Sequence, residues 1–223
     1  MDFRPIAVNS IGYKLFWGAA RVRMEEQMVR YGFVKHNQFG FTKGGRLDHN
    51  HFLLRYLVEN TYDSRKKYHN NLIVVALDFK KAFDSVDRGK LIETLVKYKI
   101  NPWLIDLVVK VYTGDRTVLR LGGKEAEIEV TSGIRQGCTS STFFFKIITF
   151  VIIERLEEVG APFVVNGINI NSQWYCDDST IIANTIEAAR TNIRVVRDVS
   201  RDLGLEINED KSKVMIYKKD DPT

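Results

Sequence analysis

A chain of 223 residues, 44% of them hydrophobic, is long enough to bury a sizeable core, as one large domain or as two lobes of one catalytic unit. Lysine and arginine outnumber aspartate and glutamate by 33 to 28, a formal charge of +5 that suits a polyanionic partner without requiring one. The longest apolar run, Phe143 to Ile153, is interrupted by Lys146 and too short for a bilayer, no charged-then-apolar leader opens the chain, and Cys138 and Cys176 have neither paired spacing nor a histidine cluster, so a membrane or secreted protein, a disulfide scaffold and a zinc module are all disfavoured.

Taken in order, residues 2–10 read as extended, because Pro5 pushes Arg4 away from helical angles. From Ile11 to Tyr31 the apolar positions Leu15, Phe16, Ala19, Ala20, Val22 and Met28 recur at helical spacing, with Gly32 as the stop. Gln38 to Arg46 is a glycine-rich loop in which Lys43 and Arg46 either grip phosphate or stand in solvent. Asp48 to Tyr62 predicts a second helix, with Phe52, Leu53, Tyr56, Leu57 and Val58 on one side, and the basic 63–71 segment links it to an apolar strand ending at Leu77.

Beyond that strand, Ala82 to Asp87 turns the chain, Leu91, Ile92, Leu95 and Val96 mark a short amphipathic helix, and Asn101-Pro102 opens another, running to Tyr112. Thr117 to Leu121 and Glu125 to Thr131 flank Gly122-Gly123 and predict a β-hairpin. A small, polar loop from Ser132 to Ser141 leads into a helix over Phe143 to Glu158, apolar nearly all round and therefore buried. Strands are expected at Val164 to Ile170 and Gln173 to Ala183, then a helix capped by Thr185 with Ile186, Ala189, Ile193, Val196 and Leu203 facing inward, then strands at Leu205 to Asn208 and Lys213 to Tyr217. Helices returning between strands indicate an α+β fold, a sheet with helices packed on it.

Chemistry concentrates where carboxylates end apolar strands. Asp177 and Asp178 lie side by side between the aromatic pair Trp174-Tyr175 and the run Thr180 to Ala183. Two adjacent anions repel, and a divalent cation relieves that repulsion, so the pair reads as half of a metal site. Taken alone, Asp-Asp pairs more often occur in turns that bond their own backbone. Asp78, closing the Leu72 to Leu77 strand at the rim of a buried sheet, is the candidate for the other half; three carboxylates with two Mg²⁺ ions are the parts of two-metal phosphoryl or nucleotidyl transfer.

Several segments, in order, resemble the reverse transcriptase domain of non-LTR, LINE-type retrotransposons, from Arg4 to about Lys213. Arg4-Pro5-Ile6 and Gln38-Phe39-Gly40-Phe41 look like its fingers motifs. Leu77 to Asp84, Gly133 to Cys138, Tyr175-Cys176-Asp177-Asp178, and Gly204 to Asn208 with Lys211-Ser212 are similar to its four palm motifs. The sequence departs from that family at Cys176, where alanine is common, and after Cys138, where Thr139-Ser140-Ser141-Thr142 replaces a proline-containing run.

The resemblance implies a polymerase right-hand palm, an antiparallel sheet backed by helices, with partial fingers over 1–71, palm over 72–223, an inserted helical and hairpin region over 88–131, and no thumb. It implies an RNA-directed DNA polymerase that adds dNTPs to a primer 3′-hydroxyl on an RNA template, using two Mg²⁺ ions for which Mn²⁺ can substitute. Asp78, Asp177 and Asp178 with the Phe79 carbonyl would hold the metals, and Lys211 would protonate pyrophosphate. Arg4, Lys80, Lys81, Ala82, Phe83, Gln136 and Gly137 would bind the dNTP, with Phe83 crowding the sugar 2′-hydroxyl. Tyr175, Cys176, Lys43 and Arg46 are the candidates for template and primer. A maturase- or telomerase-like polymerase, or a truncated palm kept as a nucleic-acid-binding scaffold, are the alternatives. An intracellular site, nucleus or cytoplasm, and flanking thumb and endonuclease regions in a parent protein complete the expectations.

Overall fold

The computed structural model describes residues 6–42, 44–62, 71–165 and 167–217. Arg4, Lys43 and all but the last residue of the basic 63–71 segment lie outside the described residues. The chain divides into two compact units that interleave in sequence: residues 1–34 with 81–147, and 35–80 with 148–223. The fingers–palm boundary expected at 71/72 falls inside the second unit.

The first unit opens with α1 (Ile11–Arg30), whose N-terminus is capped by the Ser10 hydroxyl accepting from the Tyr13 amide. Its buried stripe is Trp17, Ala20, Met24 and Met28, whereas Leu15, Phe16 and Val22 are exposed. The helix carries apolar residues on two sides, so periodicity alone fits either. Packing chooses the side bearing Trp17, whose ring meets Phe144 edge-on with centroids 6.1 Å apart.

Next come the one-turn α3 (Ala82–Ser85), which replaces the expected turn, and α4 (Arg88–Lys97), capped by Asp87. In α5 (Pro102–Tyr112) the Asn101 side chain accepts from the Trp103 amide and proline occupies the first turn. Strands β2 (Arg116–Leu121) and β3 (Lys124–Glu129) form the expected hairpin, with Gly122 and Gly123 both at positive φ as a two-residue turn demands.

Helix α6 (Ser141–Val159) begins in the first unit and ends in the second. It is buried or half-buried from Ser141 to Glu154, as the apolar run predicted, and mostly exposed over its last five residues, where only Leu156 stays buried. No helix among the described residues is long and apolar enough to cross a membrane.

The second unit is built on a four-stranded antiparallel sheet in the order β6 (Ser172–Tyr175), β7 (Asp178–Ala183), β1 (Leu72–Leu77), β8 (Lys213–Tyr217). Strand β1 is central and almost wholly buried, which explains its unbroken apolar run in place of alternation. Leu57 of α2 (Leu47–Tyr62) packs with Leu72, Val74, Ile182, Phe163 and Val165 as one core cluster, while Phe52, read on the same side of the helix as Leu57, is 71% exposed.

Where one strand was expected at Val164 to Ile170, the chain makes two, β4 (Phe163–Val165) and β5 (Ile168–Ile170), because Gly167 at φ 80° allows a turn. Helix α7 (Ile186–Asp202), capped by Thr185, buries Ala189 and Val196 as expected, but Ile186 turns outward. Asn192 takes an inward position instead, its amide accepting from the Ala161 N–H at 2.7 Å and donating to the Ala161 carbonyl at 2.9 Å. Residues 205–208 are not a strand; a single antiparallel bridge joins Ile207 to Phe79.

Candidate active site

The register of the sheet gathers the carboxylates. Leu77 pairs with Ser179, so Asp78 just beyond β1 and Asp178 at the start of β7 stand at the same end of one strand pair. Tyr175 pairs with Asp178, leaving Cys176 and Asp177 as the two-residue turn of the β6–β7 hairpin. Asp78 and Asp177 are half-buried and Asp178 is exposed. Among the described residues no three His, Cys, Asp or Glu side chains form a ready-made metal-holding group, so the fold assembles the carboxylates at one sheet end without closing them around an ion. The donor chemistry suits a hard divalent cation, since every candidate is an oxygen.

Asp78 is held by the 205–212 segment. Its carboxylate Oδ2 accepts from Asn208 Nδ2 at 3.1 Å, its carbonyl accepts from the Asn208 N–H at 2.8 Å, and its own N–H donates to the Ser212 hydroxyl at 3.2 Å. Ser212 closes the loop by donating to the Asn208 carbonyl at 2.7 Å. These contacts leave Asp78 Oδ1 without a hydrogen bond among the described residues. Asn208 and Ser212 lie within the fourth motif, yet only Lys211 was given a role from the sequence; a side-chain bond to a residue 130 positions away has no local signature. Lys211 itself is exposed.

Phe79 and Lys80 extend the same ladder. The Lys80 N–H donates to the Glu206 carbonyl at 2.8 Å across the Phe79–Ile207 bridge, so by antiparallel geometry the N–H and C=O of Phe79 point away from that neighbour, on the hairpin side. The Phe79 ring stacks on the buried Trp174 at 6.2 Å, joining the ends of β1 and β6. Lys80 is exposed and ion-paired to Glu206 at 2.5 Å, and that carboxylate raises the lysine above its ordinary range.

The turn residue Cys176 adopts φ 59°, an uncommon conformation for a residue with a side chain. Burial, with smaller contributions from the Asp177 and Asp178 charges, pushes its thiol up to about 12, so it stands protonated at neutral pH and is no nucleophile. The turn is flanked by the 37–40 segment, which pairs with Trp174 of β6. A Cβ on Gly40 would lie 2.2 Å from the Cys176 nitrogen, an approach only glycine permits. Gly40→Ala is therefore expected to cost about 1–3 kcal/mol, seen in a thermal melt as a fall of roughly 2–4 °C per kcal/mol.

Lys81, Ala82, Phe83, Gln136 and Gly137 lie in the first unit. Lys81 occupies the N-cap position of α3 at φ 46° and is exposed, Ala82 is buried, and the half-buried Phe83 stacks on the buried Phe145 with centroids 4.7 Å apart. The loop bearing Gln136 and Gly137 is zipped onto α3: the Ile134 N–H donates to the Phe83 carbonyl, the Gly133 N–H to the Val86 carbonyl, and Gln136 Nε2 to Asp84 Oδ1 at 3.4 Å. The Ala7 N–H donates to the Gln136 carbonyl at 2.8 Å, and the exposed Gly137 has the Ala7 carbonyl 2.8 Å from where its Cβ would be. Below this loop, Arg135 and Arg88 share the buried Asp115. In the second unit, Tyr175 is half-buried and Arg46 is exposed and paired with Asp48 at 2.6 Å.

A family model described as reverse transcriptase (RNA-dependent DNA polymerase) matches residues 1–221. Among curated proteins, the chain is 25% identical over 206 residues to the retrovirus-related Pol polyprotein from the type-1 retrotransposable element R2 of Nasonia vitripennis, covering 92% of this chain and 19% of that protein. It is 27% identical over 216 residues to the Pol polyprotein from the type-2 element R2DM of Drosophila melanogaster, covering 94% of this chain and again 19% of the relative. The chain thus spans about a fifth of the length of these relatives. Among solved structures, apo telomerase from Candida tropicalis, truncated from its C-terminal domain, superimposes with a TM-score of 0.65 at 14% identity, over 94% of this chain and 42% of that one. At that identity the likeness is one of fold, a right-hand polymerase architecture.

Proposed function

The chain belongs to the reverse transcriptase (RNA-dependent DNA polymerase) family, and from that premise we propose that it is the catalytic core of an RNA-directed DNA polymerase that extends a primer 3′-hydroxyl with deoxynucleotides on an RNA template. The observation that carries this reading is the register of β1 against β7, which brings Asp78 and the Asp177–Asp178 pair to one end of the sheet.

Asp78, Asp177 and Asp178, with the Phe79 carbonyl, are the residues we assign to two Mg²⁺ ions, which when bound would lower the pKa of the primer hydroxyl and hold the triphosphate. The fit rests on the all-oxygen donor set and on Asp78 Oδ1, which the Asn208 contact leaves available. Asn208 and Ser212 hold Asp78 from behind, so its carboxylate meets a ligand already oriented. Lys81, Ala82, Phe83, Gln136 and Gly137 are assigned to the nucleotide, with the Phe83 ring held by its stack on Phe145. Lys211 is assigned to the leaving pyrophosphate, and Tyr175 and Cys176 to the primer end.

The test is primer extension on a poly-rA template with Mg²⁺ or Mn²⁺, comparing wild type with Asp177→Asn. Wild type is expected to extend and the variant to fail; extension that survives in Asp177→Asn sinks the assignment. Stabilisation of the fold by a dNTP that depends on Mg²⁺, read in a thermal melt, is expected alongside.

A further inference from the structure

We propose that Gln38 is a positioning residue for the metal-bearing turn: its buried carboxamide clamps both backbone groups of Cys176 and so fixes where the Asp177 carboxylate stands. The inference rests on the polymerase reading of that turn, and it adds a residue that carries no charge and touches no reactant.

Gln38 is 1% exposed. Its Oε1 accepts from the Cys176 N–H at 3.1 Å and the Gly40 N–H at 2.9 Å, while its Nε2 donates to the Cys176 carbonyl at 3.2 Å and the Thr149 hydroxyl at 3.0 Å. A carboxamide offers two acceptor lone pairs and two donor hydrogens, and all four are used here. Exchanging O and N would set the NH₂ group against two N–H donors, so the network accepts only one orientation of the amide.

Two of the four bonds fall on one residue, and that residue directly precedes Asp177. The Cys176 N–H belongs to the planar peptide before it and the Cys176 carbonyl to the planar peptide it shares with Asp177. Holding both therefore sets the φ and ψ of Cys176 and the orientation of the Asp177 backbone. A hairpin tip ordinarily leaves these groups to water; this one ties them to a side chain 138 positions away in the sequence.

The anchor is itself immobilised. The Trp174 N–H donates to the Asn37 carbonyl at 2.8 Å and the Phe39 N–H to the Trp174 carbonyl at 2.9 Å, so the residues on either side of Gln38 are laddered onto β6. Gly40 packs against the turn at a distance no other residue allows. The positive φ of Cys176 is thus held from outside rather than favoured by its own side chain.

Gln38→Met keeps the length of the side chain and removes every hydrogen bond; Thr149→Val removes one partner and leaves the glutamine in place. Each variant is compared with wild type, with Asp177→Asn marking loss of the site, by hydrogen exchange of the Cys176 amide, by Mn²⁺ binding to the chain, and by primer extension. In Gln38→Met the Cys176 amide is expected to lose protection while Ile181 and Ile182 in β7 keep theirs, Mn²⁺ to bind about tenfold more weakly, and kcat for extension to fall about a hundredfold. Thr149→Val is expected to move all three in the same direction by less, and it carries the comparison if Gln38→Met does not fold.

Full protection of Cys176 in both variants, or lost protection with unchanged Mn²⁺ affinity, overturns the proposal. A wild-type chain that extends no primer, yet loses Cys176 protection and Mn²⁺ affinity in Gln38→Met, removes the polymerase reading and leaves the clamp standing. Normal extension by Gln38→Met does the reverse.

Discussion

Replacing Asp78 by asparagine is expected to cut primer extension by about a thousandfold or more, with little change in thermal stability. The neutral amide keeps the shape of the carboxylate, and the Asn208 side chain can still donate to its oxygen, so the clamp by the 205–212 segment survives. What is lost is the negative charge on which both metals would depend, and several kcal/mol of transition-state stabilisation translates to on the order of a thousandfold in rate. Asn208→Ala and Ser212→Ala provide the contrast. Each leaves the charge and removes one constraint on Asp78, so a loss of roughly 10- to 100-fold is expected. Single-turnover primer extension at saturating Mg²⁺, together with melts of each variant, separates the two outcomes. Equal losses from Asp78→Asn and Asn208→Ala would mean that orientation rather than charge is what Asp78 supplies.

Asp115→Ala is expected to destabilise the chain by about 3–5 kcal/mol, among the larger effects of any single substitution here. The Asp115 side chain is 0% exposed and is shared by Arg88, which donates to it at 2.8 Å, and by Arg135. Arg88 also donates to the carbonyls of Gly133, Tyr112 and Val130, and its guanidinium lies 4.5 Å from the Tyr112 ring centroid. The half-buried Arg88 side chain, held by Asp115, thus joins the end of α5, the end of β3 and the loop that carries Gln136. Burial, and to a lesser degree the neighbouring Arg135, lowers Arg88 from its ordinary range, which Asp115 offsets as a counterion. Removing Asp115 leaves two guanidinium groups side by side without one. The exposed pairs Lys110–Asp106 and Arg155–Glu158 should contribute no more than about 0.5 kcal/mol when broken, because solvent screens them. Urea unfolding of Asp115→Ala beside Asp106→Ala tests both statements, and a cost below about 1 kcal/mol for Asp115→Ala would show that the buried pair is not what fastens the loop.

Particular residues show how far the sequence could be read. Strand β1 was legible because a six-residue apolar run bounded by polar residues has few other fates, and the caps at Asn101 and Thr185 are local hydrogen bonds that residue type alone predicts. Helix faces were legible only where one side is apolar. Helix α1 offers two stripes, and its choice of Trp17, Ala20, Met24 and Met28 depends on a partner, Phe144, that lies 127 positions away in the sequence. Asn192 was missed for the mirror-image reason: a polar residue reads as outward, yet here it satisfies the backbone of Ala161.

The candidate site divides in the same way. The identities of Asp78, Asp177 and Asp178, the place of each at a strand end or turn, and the α+β class all followed from apolar runs, the order of elements and motif order, because these depend on neighbours in the chain. Tertiary structure alone decided that β1 pairs with β7 in the register that sets Asp78 and Asp178 at one end, that Asn208 and Ser212 grip Asp78, and that Gln38 grips the turn before Asp177. Those are contacts across 100 residues or more, made by backbone pairing in the first case and by ordinary polar side chains, whose type carries no signal, in the others. Only closure of the chain, which excludes water from Gln38 and obliges its amide to find four partners, turns them into part of the site.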